Sequence, residues 1–408
     1  LFFQALFAWA APLQDAVEGF FDWLASLVGE HVGNPILASL LGDGILGGVG
    51  AVLTFVPQIL LMYLLLALLD AVGYMSRAAF LMDKVMSRAG LEGRAFVAML
   101  SSFACAIPGI MATRTIPSAK DRIATMLSAP LATCSARLPV YVLLVGILVP
   151  AGSSLGPVSV RGLVLFGMYL LGALSAMLAA RVVKKITDRS GTLLPFYMEM
   201  PPYRIPTPRS VGMAMWEPTK AFLRKAGTII MGATIVIWAL TTFPLRSDAE
   251  MTAAGVDPSD EVAATAYNME HSAAAKVGKA IEPVFAPQGF DWRVNISLIG
   301  SMAAREVAVS TLGQVASASD PEDDVSVSES VQKWTYTDGP HQGEKVFTPD
   351  TTIAMLIFFA FALQCVATIG ILKRESGGWK WPAIAFGYMF VLAWVGSSLA
   401  AIITRVVM

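Results

Sequence analysis

Three cysteines stand out because each lies inside an apolar stretch, and two of them lie beside a proline. The two proline motifs are Cys105-Ala-Ile-Pro108 and Pro130-Leu-Ala-Thr-Cys134, and Cys365 adds a third thiol. Proline removes a backbone N–H donor and frees a carbonyl oxygen, so thiols and bare carbonyls together could replace part of an ion's hydration shell. Sulfur ligands favour a borderline or soft divalent metal. The alternative for each cysteine taken singly is a small packing residue.

Glu306, also within an apolar stretch, is the carboxylate that is hardest to explain as a structural residue. A charged side chain at the centre of a membrane helix costs about 2.5 to 3.5 kcal/mol on insertion scales, so it usually faces a partner or a water-filled path. The alternative is an Arg305–Glu306 pair that locks two helices, but adjacent residues of a helix point in different directions. We therefore predict that Glu306 lines an ion path, with Arg305 beside it.

The composition of the chain places these residues in a bilayer. Of the 408 residues, 55% are apolar and 14% are charged, and the mean hydropathy is +0.63. A helix needs about 20 apolar residues to span the hydrocarbon layer, because every backbone N–H and C=O must be paired within the segment. The net charge of −1 indicates no nucleic-acid partner. The stretches that are long and apolar enough are 44–69, 123–149, 162–183, 221–243, 352–372 and 381–403.

Two shorter stretches, 90–113 and 289–312, align with each other without a gap. The shared frame pairs Gly90 with Gly289, Arg94 with Arg293, Leu100 with Ile299 and Ala104 with Ala303. The first stretch has basic connections on both sides and the second has acidic ones, which indicates broken or re-entrant elements of opposite orientation. Two inverted halves with a binding site near the midplane are typical of a transporter. The alternative is that Gly and Ala recur by chance.

The sequence thus predicts an all-α, polytopic helical membrane protein with two inverted, gate-like repeats and broken or re-entrant helices near the midplane. Residues 1–43 are predicted to hold the end of a first membrane helix and, after Pro12, an amphipathic interfacial segment. The remaining predicted parts are a first gate repeat at 44–183, a basic cytoplasmic connection at 184–220, and a second gate repeat at 221–408 with acidic external loops at 244–288 and 316–350. Basic residues collect in short cytoplasmic loops, which sets this orientation.

Several motifs occur in one order along most of the chain. They are Gly73-Tyr-Met-Ser-Arg-Ala-Ala-Phe-Leu-Met-Asp83, Cys105-Ala-Ile-Pro-Gly-Ile-Met-Ala-Thr-Arg-Thr115, Cys134-Ser-Ala-Arg-Leu-Pro-Val-Tyr141, Pro202-Tyr-Arg-Ile-Pro206, Ile281-Glu-Pro-Val-Phe285, Ala304-Arg-Glu306 and Cys365-Val-Ala-Thr368. Together these motifs closely resemble the membrane part of the FeoB-type bacterial ferrous iron transporters. The two gate-like regions of that family are also similar to the gates of nucleoside carriers.

This resemblance implies import of Fe²⁺, as transported substrate, by a multi-pass protein of the bacterial inner membrane. It also implies a cytosolic GTP-binding domain that regulates or drives transport and precedes the first helix in the family. We expect that domain to lie outside this chain, because no G-x-x-x-x-G-K-[ST] phosphate loop occurs in it. The chain is therefore predicted to have no GTP site and no enzymatic activity of its own. The expected partners are the ferrous ion, the lipid bilayer, the GTP-binding domain and small accessory proteins of iron uptake, and a homo-oligomer is left open.

Residue by residue, the resemblance places the gate cysteines of the family at Cys105, Cys134 and Cys365, and its membrane glutamate at Glu306. The chain departs from the family pattern beside the first thiol, where Ser102-Phe-Ala-Cys-Ala-Ile-Pro108 lacks two glycines and an amide. Fewer oxygen ligands then surround the thiols, and Asp70 and Gln364 are predicted to compensate. The full set predicted to gate or line the path is Pro108, Pro130, Gln364, Arg305 and Met111, the last as a weak thioether ligand or as a packing residue.

Two other functions remain open from the sequence. The first is a carrier of a nucleoside-like or other organic solute, with Glu306 and Gln364 as hydrogen-bonding groups. The second is a membrane signalling or scaffold subunit that binds a partner through the basic segment 184–225. Competition of transport by nucleosides would favour the first, and absence of any solute flux would favour the second.

Overall fold

The computed structural model of the protein describes residues 2–88, 90–150, 152–155, 158–187, 207–244, 248–253, 255, 261–302, 305, 307–315, 324–336 and 342–407. Helices α1 to α10 are Phe2–His31, Pro35–Ser39, Gly47–Ala71, Tyr74–Arg88, Arg94–Ala104, Ala106–Ala112, Ala119–Ser128, Leu138–Leu148, Val160–Thr187 and Pro208–Phe222. Helices α11 to α20 are Thr228–Thr242, Asp248–Ala253, Glu261–Glu270, Ala273–Phe285, Trp292–Gly300, Val307–Val315, Asp324–Val331, Pro349–Phe361, Val366–Ser376 and Lys380–Val407. Strands β1, Ser154–Leu155, and β2, Val158–Ser159, form a small antiparallel hairpin.

Five helical segments within the described ranges are long and apolar enough to cross a membrane. They are Ile36–Ala71, Ala119–Leu148, Val160–Thr187, Pro349–Ser376 and Lys380–Val407. Each covers one of the spans that the sequence predicts, to within one residue, so the protein is an all-α, polytopic membrane protein. In the sixth predicted span, 221–243, the described apolar helix is the shorter Ile230–Thr242.

Two of the predicted connections have a different local structure. Helix α1 continues through Pro12 to His31, so the amphipathic segment is not separated from the helix that precedes it. The predicted acidic loop 244–288 contains helices α12, α13 and α14. Most of the basic connection 184–220 and much of the loop 316–350 lie outside the described residues.

Among the residues that the structure describes, four helices are interrupted near their middle. The interruptions separate α5 from α6, α7 from α8, α15 from α16, and α18 from α19. Pro108 does not break its helix: it lies in the first turn of α6, where a missing N–H leaves no hydrogen bond unmade. The predicted interruptions within 90–113 and 289–312 are therefore present, and the long spans 119–148 and 349–376 are interrupted as well.

The two aligned stretches also share a backbone conformation at their first residue. Gly90 has a φ of +79° and Gly289 has a φ of +75°, and each precedes the first half of an interrupted helix. Residues with a Cβ rarely adopt a positive φ, so both positions favour glycine. The two stretches thus share a glycine of positive φ ahead of an interrupted helix, and the inverted repeat stays a prediction.

The chain forms two compact units. The first comprises Leu1–Ala129, Met177–Trp238 and Val366–Gly377. Within it, the Arg114 guanidinium donates two hydrogen bonds to the buried Glu375 carboxylate, at 2.9 and 2.5 Å, and Arg122 adds a third at 3.1 Å. These bonds join the turn after α6 to the last turn of α19, and the bond to Glu375 raises the pKa of Arg114 above its usual value.

The second unit comprises Pro130–Ala176, Ala239–Cys365 and Gly378–Met408. Its apolar core lies among α8, α14, α15, α18 and α20 and includes the fully buried Phe290 and Phe359. The Asp291 side chain accepts a hydrogen bond from the Val294 backbone N–H and so caps α15. This core holds the second half of one interrupted helix against the first halves of two others.

Candidate ion path at the helix interruptions

All three cysteines lie in helix interruptions. Cys105 is extended, with φ −156° and ψ +137°, between α5 and α6. Cys134 is also extended, with φ −81° and ψ +162°, between two short 3-10 turns that join α7 to α8. Cys365 is the last residue of the interruption 362–365 between α18 and α19. Backbone carbonyls at such interruptions lack their usual partners in the helix and can bind a ligand.

The first unit contains four of the predicted site residues. Cys105 is half-buried and packs on a small cluster that includes Met62 and Ala104. Pro108 is buried in α6, and Met111 is half-buried one turn later. Asp70 is exposed in the last turn of α3.

In the second unit, the Arg305 side chain joins two different helix interruptions. Arg305 itself lies in the α15–α16 interruption and is 4% exposed. Its Nη1 donates to the sulfur of Cys134 at 2.8 Å, and its Nε donates to the backbone carbonyl of Gln364 at 3.2 Å. One planar guanidinium thus contacts a predicted thiol ligand and a free carbonyl at the same time.

A second buried arginine, Arg137, joins the same two interruptions. It is fully buried and donates to the carbonyl oxygens of Pro130, Leu131 and Ala132, at 3.2 to 3.5 Å, in its own interruption. It also donates to the carbonyl oxygen of Ala362 at 3.3 Å, in the α18–α19 interruption. A guanidinium has five N–H donors in a fixed fork, which suits a cluster of carbonyls that no helix satisfies.

Arg137 is a site residue that the sequence analysis did not single out. The signal was present, because Arg137 is a charged residue inside the predicted span 123–149 and such residues usually have a functional or structural partner. Arg137 and Arg305, here called the arginine pair, bring two like charges close to Cys134. In this arrangement the electrostatic field around Cys134 opposes the binding of a further cation.

The backbone carbonyl of Gln364 accepts a hydrogen bond from Arg305, and its side-chain amide takes no part in that contact. The residue is 3% exposed, and within the described part of the chain neither the oxygen nor the nitrogen of its side-chain amide has a hydrogen-bond partner. A buried amide without a partner costs about 1–3 kcal/mol, so such a group is typical of a site that binds a ligand or water. Gln364 also borders a cavity of about 280 Å³ between α14, α15, α18 and α20.

The other predicted residues are placed as follows. Pro130 is buried in the 3-10 turn before Cys134, and Cys365 is half-buried. Glu306 lies outside the described residues. Among the described residues, no group of three or more His, Cys, Asp or Glu side chains is arranged to hold a metal ion. The second unit therefore brings Cys134, Arg305 and Gln364 together.

The sequence of the chain matches two models of known protein families. A family model described as "Gate: Nucleoside recognition" matches residues 52–148 and 223–379, which together make up more than half of the chain. The chain belongs to the Gate family. A further model, described as "Ferrous iron transport protein B C terminus", matches residues 165–217 of this Gate protein. Comparison with solved structures found no match.

Similar proteins include three named ferrous ion transporters. The chain is 40% identical to the "Fe(2+) transport protein A/Fe(2+) transporter FeoB fusion protein" of Porphyromonas gingivalis, over 98% of this chain and 48% of that protein. It is 40% identical to the "Fe(2+) transporter FeoB" of Leptospira interrogans, over 97% and 55%. It is 35% identical to the "Fe(2+) transporter FeoB" of Helicobacter pylori, over 100% and 63%. The Gate chain thus spans about half the length of these relatives, and its resemblance to the FeoB membrane part is confirmed.

Helix α9 of the Gate protein packs closely against the Cys134 interruption at Gly172, where a side chain would clash with Thr133. A Cβ at Gly172 would lie 2.9 Å from the backbone N and 3.1 Å from the Cβ of Thr133, and closer still to its hydroxyl. We expect Gly172→Ala to lower the free energy of unfolding by about 1–3 kcal/mol, because Thr133 must shift. It should also change the alkylation rate of Cys134, measured in a Cys105→Ser, Cys365→Ser background.

Gly167 provides the matched control for this prediction. It lies on the same helix, and a Cβ there would meet no atom within 4 Å. Gly167→Ala should leave the Cys134 alkylation rate unchanged and leave stability equal or higher, because alanine favours the helix over glycine by about 1 kcal/mol. Equal effects of the two substitutions on the thermal midpoint in detergent would contradict this role of Gly172.

Proposed function

We propose that this chain is the ion-conducting part of a ferrous iron transporter of the bacterial inner membrane. In this proposal Fe²⁺ crosses between two gate repeats, and the thiols of Cys105, Cys134 and Cys365 replace part of its hydration shell. Glu306 and Asp70 supply carboxylate oxygens, and the interrupted helices supply carbonyl oxygens. The printed names of the relatives, which are ferrous ion transporters, support the substrate. Import is the direction that the FeoB resemblance implies.

The observation that carries this proposal is the position of the thiols. Each cysteine of the chain lies where a helix is interrupted, so the backbone beside each sulfur departs from regular helical pairing. In a bilayer, backbone without helical pairing is tolerated only where it is buried in protein or lines a cavity. Sulfur and carbonyl oxygen together form a ligand set that binds borderline divalent ions such as Fe²⁺.

The two-part architecture supports alternating access. The Gate model matches two separate stretches, and both stretches contain a glycine of positive φ followed by an interrupted helix. Transporters built from inverted repeats bind their substrate near the midplane, where discontinuous helices meet. We therefore propose that 44–183 and 221–408 are inverted gate repeats that open in turn.

In this proposal, a domain outside the Gate chain regulates ion transport. A cytosolic GTP-binding domain, which the FeoB resemblance implies, would regulate or drive the gates. The fusion relative carries an "Fe(2+) transport protein A" portion in its name, which supports a small accessory protein as a partner. In this proposal any hydrolysis of GTP takes place outside the chain, and the chain itself carries the ion.

Reconstitution into proteoliposomes tests the transport proposal. The chain, alone and with a FeoB-type GTP-binding domain, is incorporated into vesicles loaded with a fluorescent chelator, and Fe²⁺ is added outside under reducing conditions. Fe²⁺ influx should exceed that of protein-free vesicles, and K⁺ should not be transported. Influx of Fe²⁺ equal to that of protein-free vesicles in both preparations would refute the proposal.

A second candidate is a carrier of a nucleoside-like solute. The description of the matching family model, "Nucleoside recognition", favours it, and so does the unpaired amide of the buried Gln364. A nucleobase donates and accepts hydrogen bonds, as a carboxamide does. Uptake of radiolabelled uridine by the same vesicles, unaffected by Fe²⁺, would support this candidate over iron transport.

A further inference from the structure

One guanidinium contacts two groups that the proposed path offers to a metal ion. Arg305 Nη1 lies 2.8 Å from Cys134 Sγ, and Arg305 Nε lies 3.2 Å from the carbonyl oxygen of Gln364. Both contacts are buried, since Arg305, Cys134 and Gln364 are exposed by 4%, 7% and 3%. The sulfur and the carbonyl oxygen therefore already face a positive charge in this arrangement.

A metal ion and the Arg305 guanidinium would compete for these two acceptors. Both use the same lone pairs of the sulfur and of the carbonyl oxygen. Their positive charges also repel each other strongly in a buried site, where few solvent molecules screen them. Arginine remains protonated in proteins, so the guanidinium would have to move before a metal ion could bind both groups.

We propose that Arg305 is a tethered cation that occupies the metal position at Cys134 and Gln364 between transport events. Binding of the metal ion displaces the guanidinium, and departure of the ion lets it return. This inference rests on the proposed function, because it takes Cys134 and the Gln364 carbonyl as metal ligands. It assigns Arg305 a role in excluding and releasing cations, which the comparison with relatives does not assign.

Displacement of the Arg305 guanidinium would also break contacts between interrupted helices. Arg305 lies in the α15–α16 interruption, while its two acceptors lie in the α7–α8 and α18–α19 interruptions. Withdrawal of one side chain therefore releases three interrupted helices from a shared contact. Arg137 differs, because its hydrogen bonds to Pro130, Leu131, Ala132 and Ala362 go to carbonyl oxygens and do not involve the Cys134 sulfur.

Titration with Co²⁺ tests the competition directly. Co²⁺ bound to a thiolate gives an absorption band, so it reports metal–sulfur bonding in the detergent-purified chain. Every protein in this titration, the reference included, carries Cys105→Ser and Cys365→Ser, so that Cys134 is the one remaining thiol. Fe²⁺ influx is measured separately in vesicles, with the chain that keeps all three cysteines. Arg305→Gln should tighten Co²⁺ binding by at least about tenfold, an effect of the size that residues around a metal site usually have. The band gained in Arg305→Gln should disappear in the Arg305→Gln, Cys134→Ser double variant.

Arg137→Gln is the matched control, because it removes the other buried positive charge near Cys134 without removing a contact to the sulfur. Loss of this charge lessens the repulsion of a cation, so we expect Arg137→Gln to tighten Co²⁺ binding, but by less than about threefold because Arg305 still contacts the sulfur and the Gln364 carbonyl. Arg305→Lys keeps the charge but has one ammonium group in place of the fork, so it should give an intermediate affinity. It also provides the comparison if Arg305→Gln does not fold.

Three results would overturn the competition. The first is a Co²⁺ affinity of Arg305→Gln and of Arg305→Lys that is no tighter than that of the protein with Arg305. The second is a gain in Co²⁺ affinity in Arg137→Gln as large as that in Arg305→Gln. The third is a Co²⁺ band that persists without the Cys134 thiol. Fe²⁺ influx separates this inference from the proposed function. Normal influx with any of these results refutes the tethered cation alone, whereas absence of influx in the wild type refutes iron transport.

Discussion

Replacing Cys134 with serine is expected to lower Fe²⁺ influx into proteoliposomes by at least about tenfold. Serine keeps the size of the side chain but replaces a sulfur ligand with a hydroxyl, which binds a borderline divalent ion more weakly; a loss of 1.4 kcal/mol is tenfold in affinity. The Cys134 sulfur lies 2.8 Å from Arg305 Nη1 in a buried interruption, so the substitution removes an atom that already contacts a cation. Influx is measured at equal protein density in the vesicles.

The same experiment extends to the other two thiols. Cys105→Ser and Cys365→Ser should each reduce influx, and the triple variant should reduce it to the rate of protein-free vesicles. Ser128→Ala is a suitable control, because it removes a buried hydroxyl that bonds the Thr125 carbonyl at the end of α7, outside the interruption. A triple variant with wild-type Fe²⁺ influx would remove the thiols from the mechanism.

Arg137→Met should lower the free energy of unfolding by at least about 3 kcal/mol. The substitution leaves four carbonyl oxygens without the donor that now binds them, and each buried unsatisfied group costs about 1–3 kcal/mol. Removal of a buried charge offsets part of this cost, because the guanidinium no longer has to be desolvated. We expect the net effect to be destabilising, because four buried carbonyl oxygens lose a charged donor while only one desolvated charge is removed.

Thermal and detergent unfolding of the purified chain measure this effect, with Arg161→Met as control. Arg161 donates to the carbonyls of Val149 and Gly146, at 2.9 and 3.4 Å, but it is only partly buried near the start of α9. Water can reach those carbonyls, so we expect a loss of less than about 1 kcal/mol. A midpoint shift of Arg137→Met no larger than that of Arg161→Met would contradict the role assigned to Arg137.

The arginine pair makes the surroundings of Cys134 positively charged, which the cysteines alone do not indicate. A path for a cation is expected to offer negative or dipolar groups. In the second unit, Arg137 and Arg305 instead hold the carbonyl groups of two helix interruptions, and Arg305 also holds the sulfur of Cys134. The described geometry is consistent with a closed arrangement in which the protein's own cations bind the groups proposed for the substrate.

The sequence by itself determined the class of protein and two of the four described helix interruptions, those within 90–113 and 289–312. The apolar spans were predictable because a helix in hydrocarbon must satisfy its own backbone over about 20 residues, which leaves a long continuous signal. The interruption within 90–113 was predictable for a similar reason, because it depends on neighbours in the sequence. The family motifs predicted the substrate class that we propose.

Only the tertiary structure decided which of these residues meet. Arg305 is 171 residues from Cys134 and 59 from Gln364, and Arg137 is 225 residues from Ala362. No local pattern encodes such contacts, because they arise when folded helices bring separate interruptions together. The interruptions within the spans 123–149 and 352–372 were likewise not predicted from the sequence. Local hydrogen bonding explains what the sequence predicts, and packing between distant helices explains the rest.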